Sequence, residues 1–524
     1  MVIVKQGFKM PEAIRKKETR DYGLITVFIF IFVFIFSFAL INILKFRAFS
    51  STSFGWAYMH VYPKLANFSN PFDIFILPEF NILIFLAPLN YLLAFVYNIV
   101  PKPEVLLVFQ EIIMAVGAVP IYLIARDNLK GTFLAVSIAL AYLLHPIITT
   151  GGMLGYTPLA LGMPFFLFAL YYLEKENLGK FTLFIILANL SKIDNAVITI
   201  IMGVVLILSK KKKKYGQVSL KIGIITFSTM AIITLIYLKM VNRSFPVGLV
   251  HFNNYGNNFS DALSYSLSNP LSIFRNLFNH GNMLYSIFFV LPNIFSFLSP
   301  LNLFPIIPEM AYVLIRNQHS TGHFMILAFV FVGSIYGLKK MIRFISPILN
   351  WFKMTWLNHA LLARVLAVLI LIPFLIRHYY IKAEFDFSSK LGPVPFTRDF
   401  YFGYYNLDEH SLVGNRLLKM VPLGATCLTL QSLAGHMGRC RYIAPLESCV
   451  ISEDYAWEYV FVDLYKDDLY HISKEKFLLY LRQLITQGKY GVMVFDDGWV
   501  LLKRGYALDK NKYLLNQVNQ LIGS

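Results

Sequence analysis

Long apolar runs separated by short polar and basic segments dominate the first 377 residues. The runs fall at 24–44, 74–100, 105–124, 133–148, 158–173, 181–208, 222–238, 283–297, 301–315, 324–338 and 361–376. About 20 apolar residues in helix cross a bilayer core of about 30 Å. Read this way, the chain is an α-helical multi-pass membrane bundle of about eleven transmembrane helices. Two runs are irregular. The 74–100 run is broken by Pro78, Glu79, Asn81, Pro88 and Asn90, so it reads either as a span or as a juxtamembrane helix lying in the interface. The 181–208 run carries Lys192 and Asp194 at its middle, where charge is costly in lipid, so it reads as two short helices meeting at a polar turn.

From about residue 378 the period changes. Stretches 425–430, 441–444 and 459–463 read as strands, and 474–487 as an amphipathic helix with Phe477, Leu478, Leu481, Leu484 and Ile485 on one face. Stretches 491–495 and 499–503, joined by Asp496-Asp497-Gly498, read as a β-hairpin. The expected organisation is a cytoplasmic segment at 1–21, a membrane bundle at 22–377 and a small extracytoplasmic α/β domain at 378–524.

Composition agrees with the pattern. The chain is 57% hydrophobic and only 15% charged, where a soluble protein is about 45–50% apolar and about 25% charged. The net charge of +18 sits largely in clusters between apolar runs. That is the signature of topology rather than of nucleic-acid binding, and no nucleic acid is expected as a partner. Six Lys and Arg before residue 21, five lysines at 210–214, and Lys339, Lys340 and Arg343 mark the cytoplasmic ends. The first run is too long for a signal h-region and reads as an uncleaved anchor. The loops at 45–74 and 242–282 and the tail past 378 then lie outside, in a plasma-membrane protein. Asn-x-Ser sequons at Asn67, Asn242 and Asn258 fall in those outer loops. Cys427, Cys440 and Cys449 all lie in the tail, and both one disulfide with one thiol and three buried thiols are open. No phosphate-binding loop, dinucleotide fingerprint, zinc-protease helix or nucleophile elbow is present.

The stretch PEFNILIFLAPLNYLLAFVYNIVPKPEVLLVFQEIIMAVGAVPIYLIAR resembles the opening of domain-of-unknown-function family 2079. LAYLLHP, the Lys192/Asp194 turn, HFNNYG, SPLNLFPIIPEMAYVLIRNQHSTGHF and the tail pattern LAGHMGRCRYI…YVFVDL…YGVMVFDDGWVLLKR continue it in order. That family is similar to the GT-C membrane glycosyltransferases, which take sugars from polyprenyl-phosphate carriers on the outer membrane face. The resemblance implies a GT-C-like bundle whose turn at 151–156, Lys192/Asp194 turn, 242–282 loop and 318–323 turn converge at one outer end. The chain departs from the family pattern in places: Glu79-Phe80-Asn81-Ile82 stands for a His-Phe-Ser-Pro pattern, and Gly155-Tyr156-Thr157-Pro158-Leu159 for Asp-Phe-His-Pro-Glu, which loses both carboxylates and the histidine.

Sugar transfer from a lipid phosphate needs a carboxylate to accept a proton or hold a metal, and cations to offset the leaving phosphate. The catalytic candidates are Asp194, Glu79 and Asp73. The phosphate- or substrate-binding candidates are Lys192, Arg316, His251, His319, His323 and Tyr255. Each has a plain alternative: a buried ion pair for Lys192 and Asp194, a helix-start carboxylate for Glu79, and interfacial side chains for Arg316 and the histidines. The cofactor is left open, a divalent metal being one answer. The expected partners are the lipid bilayer and a polyprenyl-phosphate sugar. The rival to an enzyme is a non-catalytic family member that binds lipid-linked glycans or scaffolds envelope assembly.

Overall fold

The computed structural model describes residues 21–50, 87–100, 102–153, 155–156, 159–192, 195–209, 212–240, 264–265, 267–279, 291–316, 324–351, 359–379, 393–438, 440–446, 457–466 and 472–523. They form a mainly helical bundle followed by a small sheet.

Helix α1 (Tyr22–Arg47) begins where Asp21 accepts a hydrogen bond from the Leu24 amide, and up to Leu40 it is apolar on nearly every side, as suits a helix solvated by lipid. The bundle continues through α2 (Leu89–Ile99), α3 (Pro103–Val116), α4 (Ala118–Leu129), α5 (Thr132–Leu143), α6 (Pro146–Gly152), α7 (Leu159–Glu174), α8 (Leu178–Ser191), α9 (Asn195–Leu208) and α10 (Lys213–Met240). It closes with α11 (Pro270–Leu277), α12 (Ile307–Arg316), α13 (Phe324–Trp351) and α14 (His359–Tyr379). Among the described residues four helical stretches are long and apolar enough to cross a membrane: Tyr22–Arg47, Pro103–Leu129, Lys213–Ile236 and Phe324–Pro347. The pair α5 and α6, bent by 41° at His145-Pro146, makes a fifth if it counts as one broken span.

The reading of about eleven spans is coarser here. The 181–208 run is indeed two 14-residue helices, α8 and α9, each about 21 Å long and too short to cross alone. The 301–315 run takes 3-10 turns at Pro300–Asn302 and Phe304–Ile306 and then the ten-residue α12, Pro305 withholding an N–H from the ladder before it. Of the 74–100 run, the described part is the 11-residue α2, which buries Leu89, Leu93 and Ala94 in the same apolar core as the C-terminal sheet.

One end of the bundle gathers the basic segments. Arg126 pairs with Asp21, Lys175 with Asp127 at 2.8 Å, and Lys212 with Glu176 at 2.9 Å, while Lys339 donates to Asn128 at 2.7 Å. The start of α1, the ends of α4 and α7, the start of α10 and the middle of α13, at Lys339, therefore lie together at the lysine-marked end.

The C-terminal part carries α15 (Glu409–Leu418), β1 (Thr426–Thr429), α16 (Gln431–Ala434), β2 (Tyr442–Pro445), β3 (Tyr459–Asp463), α17 (Lys474–Thr486), β4 (Tyr490–Asp496), β5 (Trp499–Arg504) and α18 (Asn511–Gly523). The strands run in the order β2-β1-β3-β5-β4, with β1 parallel to β2 and β3, and β5 antiparallel to β3 and β4. These strands and α17 lie where the sequence period places them. The hairpin turns on Asp497 (φ 47°) and Gly498 (φ 79°), two left-handed residues in succession as a type I′ turn requires. Cys427 and Cys440 form a disulfide, which resolves the open cysteine question for that pair; Cys449 lies outside the described residues.

Candidate functional site

The far end of α1, away from the lysine-marked end, carries a polar cluster inside the apolar bundle. Asn42 and Lys45 sit three apart on α1 and so share a face; Gln110 and Glu111 project from α3. All four are buried, Glu111 with 0% and Lys45 with 1% of its surface exposed. They surround the C-terminal turn of α6, whose last carbonyls have no intrahelical partner. Asn42 Nδ2 donates to Gly152 O at 3.1 Å and to Glu111 Oε1 at 3.0 Å. Lys45 Nζ donates to Met153 O at 2.9 Å, and Gln110 Nε2 to Gly155 O at 3.1 Å. These side chains satisfy the backbone carbonyls left free at and just past the end of α6.

Gly152 is required by close approach. A Cβ there would stand 2.6 Å from Glu111 Oε1. The second oxygen, Oε2, has no hydrogen-bond partner among the described residues. A carboxylate taken out of water with one donor calls for a second partner: a proton, a cation or a donor from a bound molecule.

The neighbouring elements end at the same level. A Cβ on Gly162, near the start of α7, would meet Ser191 Oγ at 2.4 Å, Asn195 Nδ2 at 2.6 Å and Met325 Cε at 2.7 Å. The α8–α9 break that holds Lys192 thus touches the start of α7 and the start of α13. Lys192 is half-buried at the end of α8. Arg316 is the last residue of α12. Asp73, Glu79, Asp194, His251, Tyr255, His319 and His323 lie outside the described residues. Among the described residues no three His, Cys, Asp or Glu side chains converge as metal ligands.

The C-terminal domain caps this end. Asn415 Nδ2 on α15 donates to Arg47 O at 2.8 Å, and Lys466 Nζ, just past β3, donates to Phe49 O. Phe46 and Phe49 enter the domain core together with Leu106, Leu107, Tyr156 and Leu161 of the bundle. Trp499 is fully buried at the centre, its ring 4.7 Å from Phe49, 5.0 Å from His410 and 5.1 Å from Phe461. Gly414 on α15 leaves room for it: a Cβ there would stand 2.5 Å from Trp499 Cζ2.

His410 locks α15 to the sheet. Its Nε2 lies 3.2 Å from Asp463 Oδ2 at the end of β3, and its Nδ1 lies 2.9 Å from Asp497 Oδ2 in the hairpin turn. Burial opposes its charged form, but Asp463 and then Asp497 outweigh burial and raise its pKa above the ordinary histidine value. A raised folded-state pKa adds stability that is complete below about pH 6.5 and is lost as pH rises through the folded value. The denaturation midpoint of the C-terminal domain in the full protein should therefore fall between pH 6 and pH 9. His410→Gln should flatten that dependence; an equally steep profile in the variant would assign it to other groups.

The sequence reading passed over Asn42, Lys45, Gln110 and Glu111. A signal was available for Glu111, an ionisable residue inside the 105–124 apolar run, which is a functional hypothesis by default.

The profile of the family described as "Predicted membrane protein (DUF2079)" matches residues 79–501, well over half of the chain. No curated protein matches it.

Proposed function

The chain belongs to the DUF2079 family of predicted membrane proteins, and on that footing we propose that it is a GT-C-like glycosyltransferase of the plasma membrane. It moves a sugar from a polyprenyl-phosphate donor at the end of the bundle capped by the C-terminal domain, which faces outside. The observation that carries the reading is the buried pairing of chemistry there: a carboxylate with an uncommitted oxygen, Glu111, and an ammonium, Lys45, held beneath that domain.

In the reaction an acceptor hydroxyl attacks the anomeric carbon and the bond from that carbon to the carrier phosphate breaks. The hydroxyl proton passes to Glu111 Oε2, and Lys45 offsets the negative charge on the departing polyprenyl phosphate. Asp194, Glu79 and Asp73 remain proposed acids of the same outer site. Lys192, Arg316, His251, His319, His323 and Tyr255 remain its proposed binding groups, and about eleven spans the proposed helix count. The outward placement is supported by the basic groups gathered at the opposite end and by the Cys427–Cys440 disulfide, which persists in oxidising compartments.

A second reading has an observation of its own. Asn42, Lys45 and Gln110 each donate to a backbone carbonyl at or just after the end of α6, as a purely architectural clamp would. On that reading the protein binds a lipid-linked glycan without turning it over. Purified protein in nanodiscs, given a short-chain polyprenyl-phosphate hexose and a hydroxyl acceptor, separates the two. Release of sugar-free polyprenyl phosphate together with glycosylated acceptor supports transfer. Binding of the donor without release supports the second reading.

A further inference from the structure

The sheet meets the bundle along the carboxyl ends of its parallel strands. Strand β1 lies between β2 and β3, so the chain leaves β1 for one neighbour and later returns to the other. That is a topological switch point, and open α/β sheets hold their ligands in the crevice outside it. Here the segment after β1, with α16, Gly435 and His436, and the segment after β3, reaching Lys466, both lie against the end of α1. The His436 ring stacks on Phe46 at 3.9 Å and lies 4.4 Å from Phe49.

Two side chains of the segment after β1 lack a hydrogen-bond partner among the described residues: Ser432 Oγ on α16, and His436 Nε2 at the contact with α1. Ser432 is 5% exposed and His436 8%. They are four residues apart, Ser432 within α16 and His436 just past it, where His436 N donates to Leu433 O in a 3-10-type turn. An unsatisfied buried polar group lowers stability, and native structures keep few of them without a reason. The two groups are also alike in chemistry. Burial, and secondarily the charge of Lys466, holds His436 down to about 3, so its imidazole is neutral at physiological pH. A neutral imidazole nitrogen and a serine hydroxyl pair with neutral groups that both give and accept hydrogen bonds.

We infer that Ser432 and His436 form a binding site for the hydroxyl groups of a sugar headgroup, at the crevice where the C-terminal sheet meets the end of α1. The sugar's identity as a lipid-linked headgroup rests on the transferase or glycan-binding reading; the two-point hydroxyl site itself does not.

The test pairs stability with binding, using Ser432→Ala and His436→Phe singly and together in full-length protein in nanodiscs. The Phe variant keeps an aromatic ring between Phe46 and Phe49. The probes are a short-chain polyprenyl-phosphate hexose, the sugar-free polyprenyl phosphate and a short alkyl glucoside. The double variant should melt no lower than wild type, since it removes unsatisfied groups. It should bind both sugar-bearing probes at least tenfold more weakly and the sugar-free phosphate unchanged. If wild type binds the glucoside through His436 but ignores both phosphate lipids, the site stands and the lipid-carrier reading falls. Equal binding of the sugar probes by wild type and double variant overturns the inference and leaves a structural water as the partner of these groups. Failure of wild type to bind either sugar-bearing probe overturns it as well.

Discussion

Trp499→Ala should cost the C-terminal domain about 3–5 kcal/mol, the range for removing a large buried aromatic side chain. Trp499 is fully buried, stacks on Phe461 and His410, contacts Phe49 from the bundle, and donates from Nε1 to His410 O at 2.9 Å. Its loss would leave a cavity and remove the hydrogen bond that ties β5 to α15. It would also remove the support behind the His410–Asp463 and His410–Asp497 contacts, so the damage should spread along α15. Because Phe49 is one of the bundle side chains in this core and contacts Trp499 directly, the domain should also loosen from α1. Limited proteolysis of the intact protein in nanodiscs reads this out: the variant should lose its C-terminal domain much faster than wild type, while the fragment spanning the bundle persists. A variant with wild-type proteolysis and melting would mean that Trp499 does not organise the junction.

Glu111→Gln should lower the rate of sugar transfer by about 10²–10⁴, the usual contribution of a positioned general base. Glutamine keeps the size of the side chain and an oxygen that can accept from Asn42 Nδ2, so the α1–α3–α6 clamp should survive and the melting temperature should stay near wild type. The fall should appear equally in kcat and kcat/KM, because the proton moves only in the transition state. Lys45→Met, by contrast, removes the charge proposed to face the phosphate and should weaken binding of the donor. Unchanged turnover in Glu111→Gln would remove Glu111 from the chemistry and return the proposal to Asp194, Glu79 and Asp73.

Much of the architecture was legible in the pattern of residues. The C-terminal strands were readable because Val, Ile, Phe and Tyr runs of strand length are bounded by turn residues, and Asp496-Asp497-Gly498 names its own turn. The split of the 181–208 run followed from the cost of Lys192 at bilayer depth. The apolar runs did not separate full spans from short buried helices. Hydropathy registers burial, and α7, α8 and α9 are buried in protein as well as in lipid. The bend at His145-Pro146 was hidden for the same reason, lying within one apolar stretch. The polar cluster was hidden by distance in the chain. Asn42 and Glu111 are 69 residues apart, and Lys45 and Met153 are 108 apart, so only the packing of α1, α3 and α6 reveals that they meet. The disulfide needed the fold too, since three cysteines allow three pairings and only the β1–β2 neighbourhood selects Cys427 with Cys440.

The account depends on which side of the membrane the capped end faces. Leu423, 85% exposed in the turn before β1, is a place to read this directly. Leu423→Cys would be treated on intact host cells, and on inverted vesicles, with a maleimide too polar to cross a bilayer. Labelling on intact cells and protection in sealed inverted vesicles is the predicted result. Labelling confined to the inverted vesicles would put Glu111, Lys45 and the C-terminal domain on the cytoplasmic side and contradict an outward-facing glycan site.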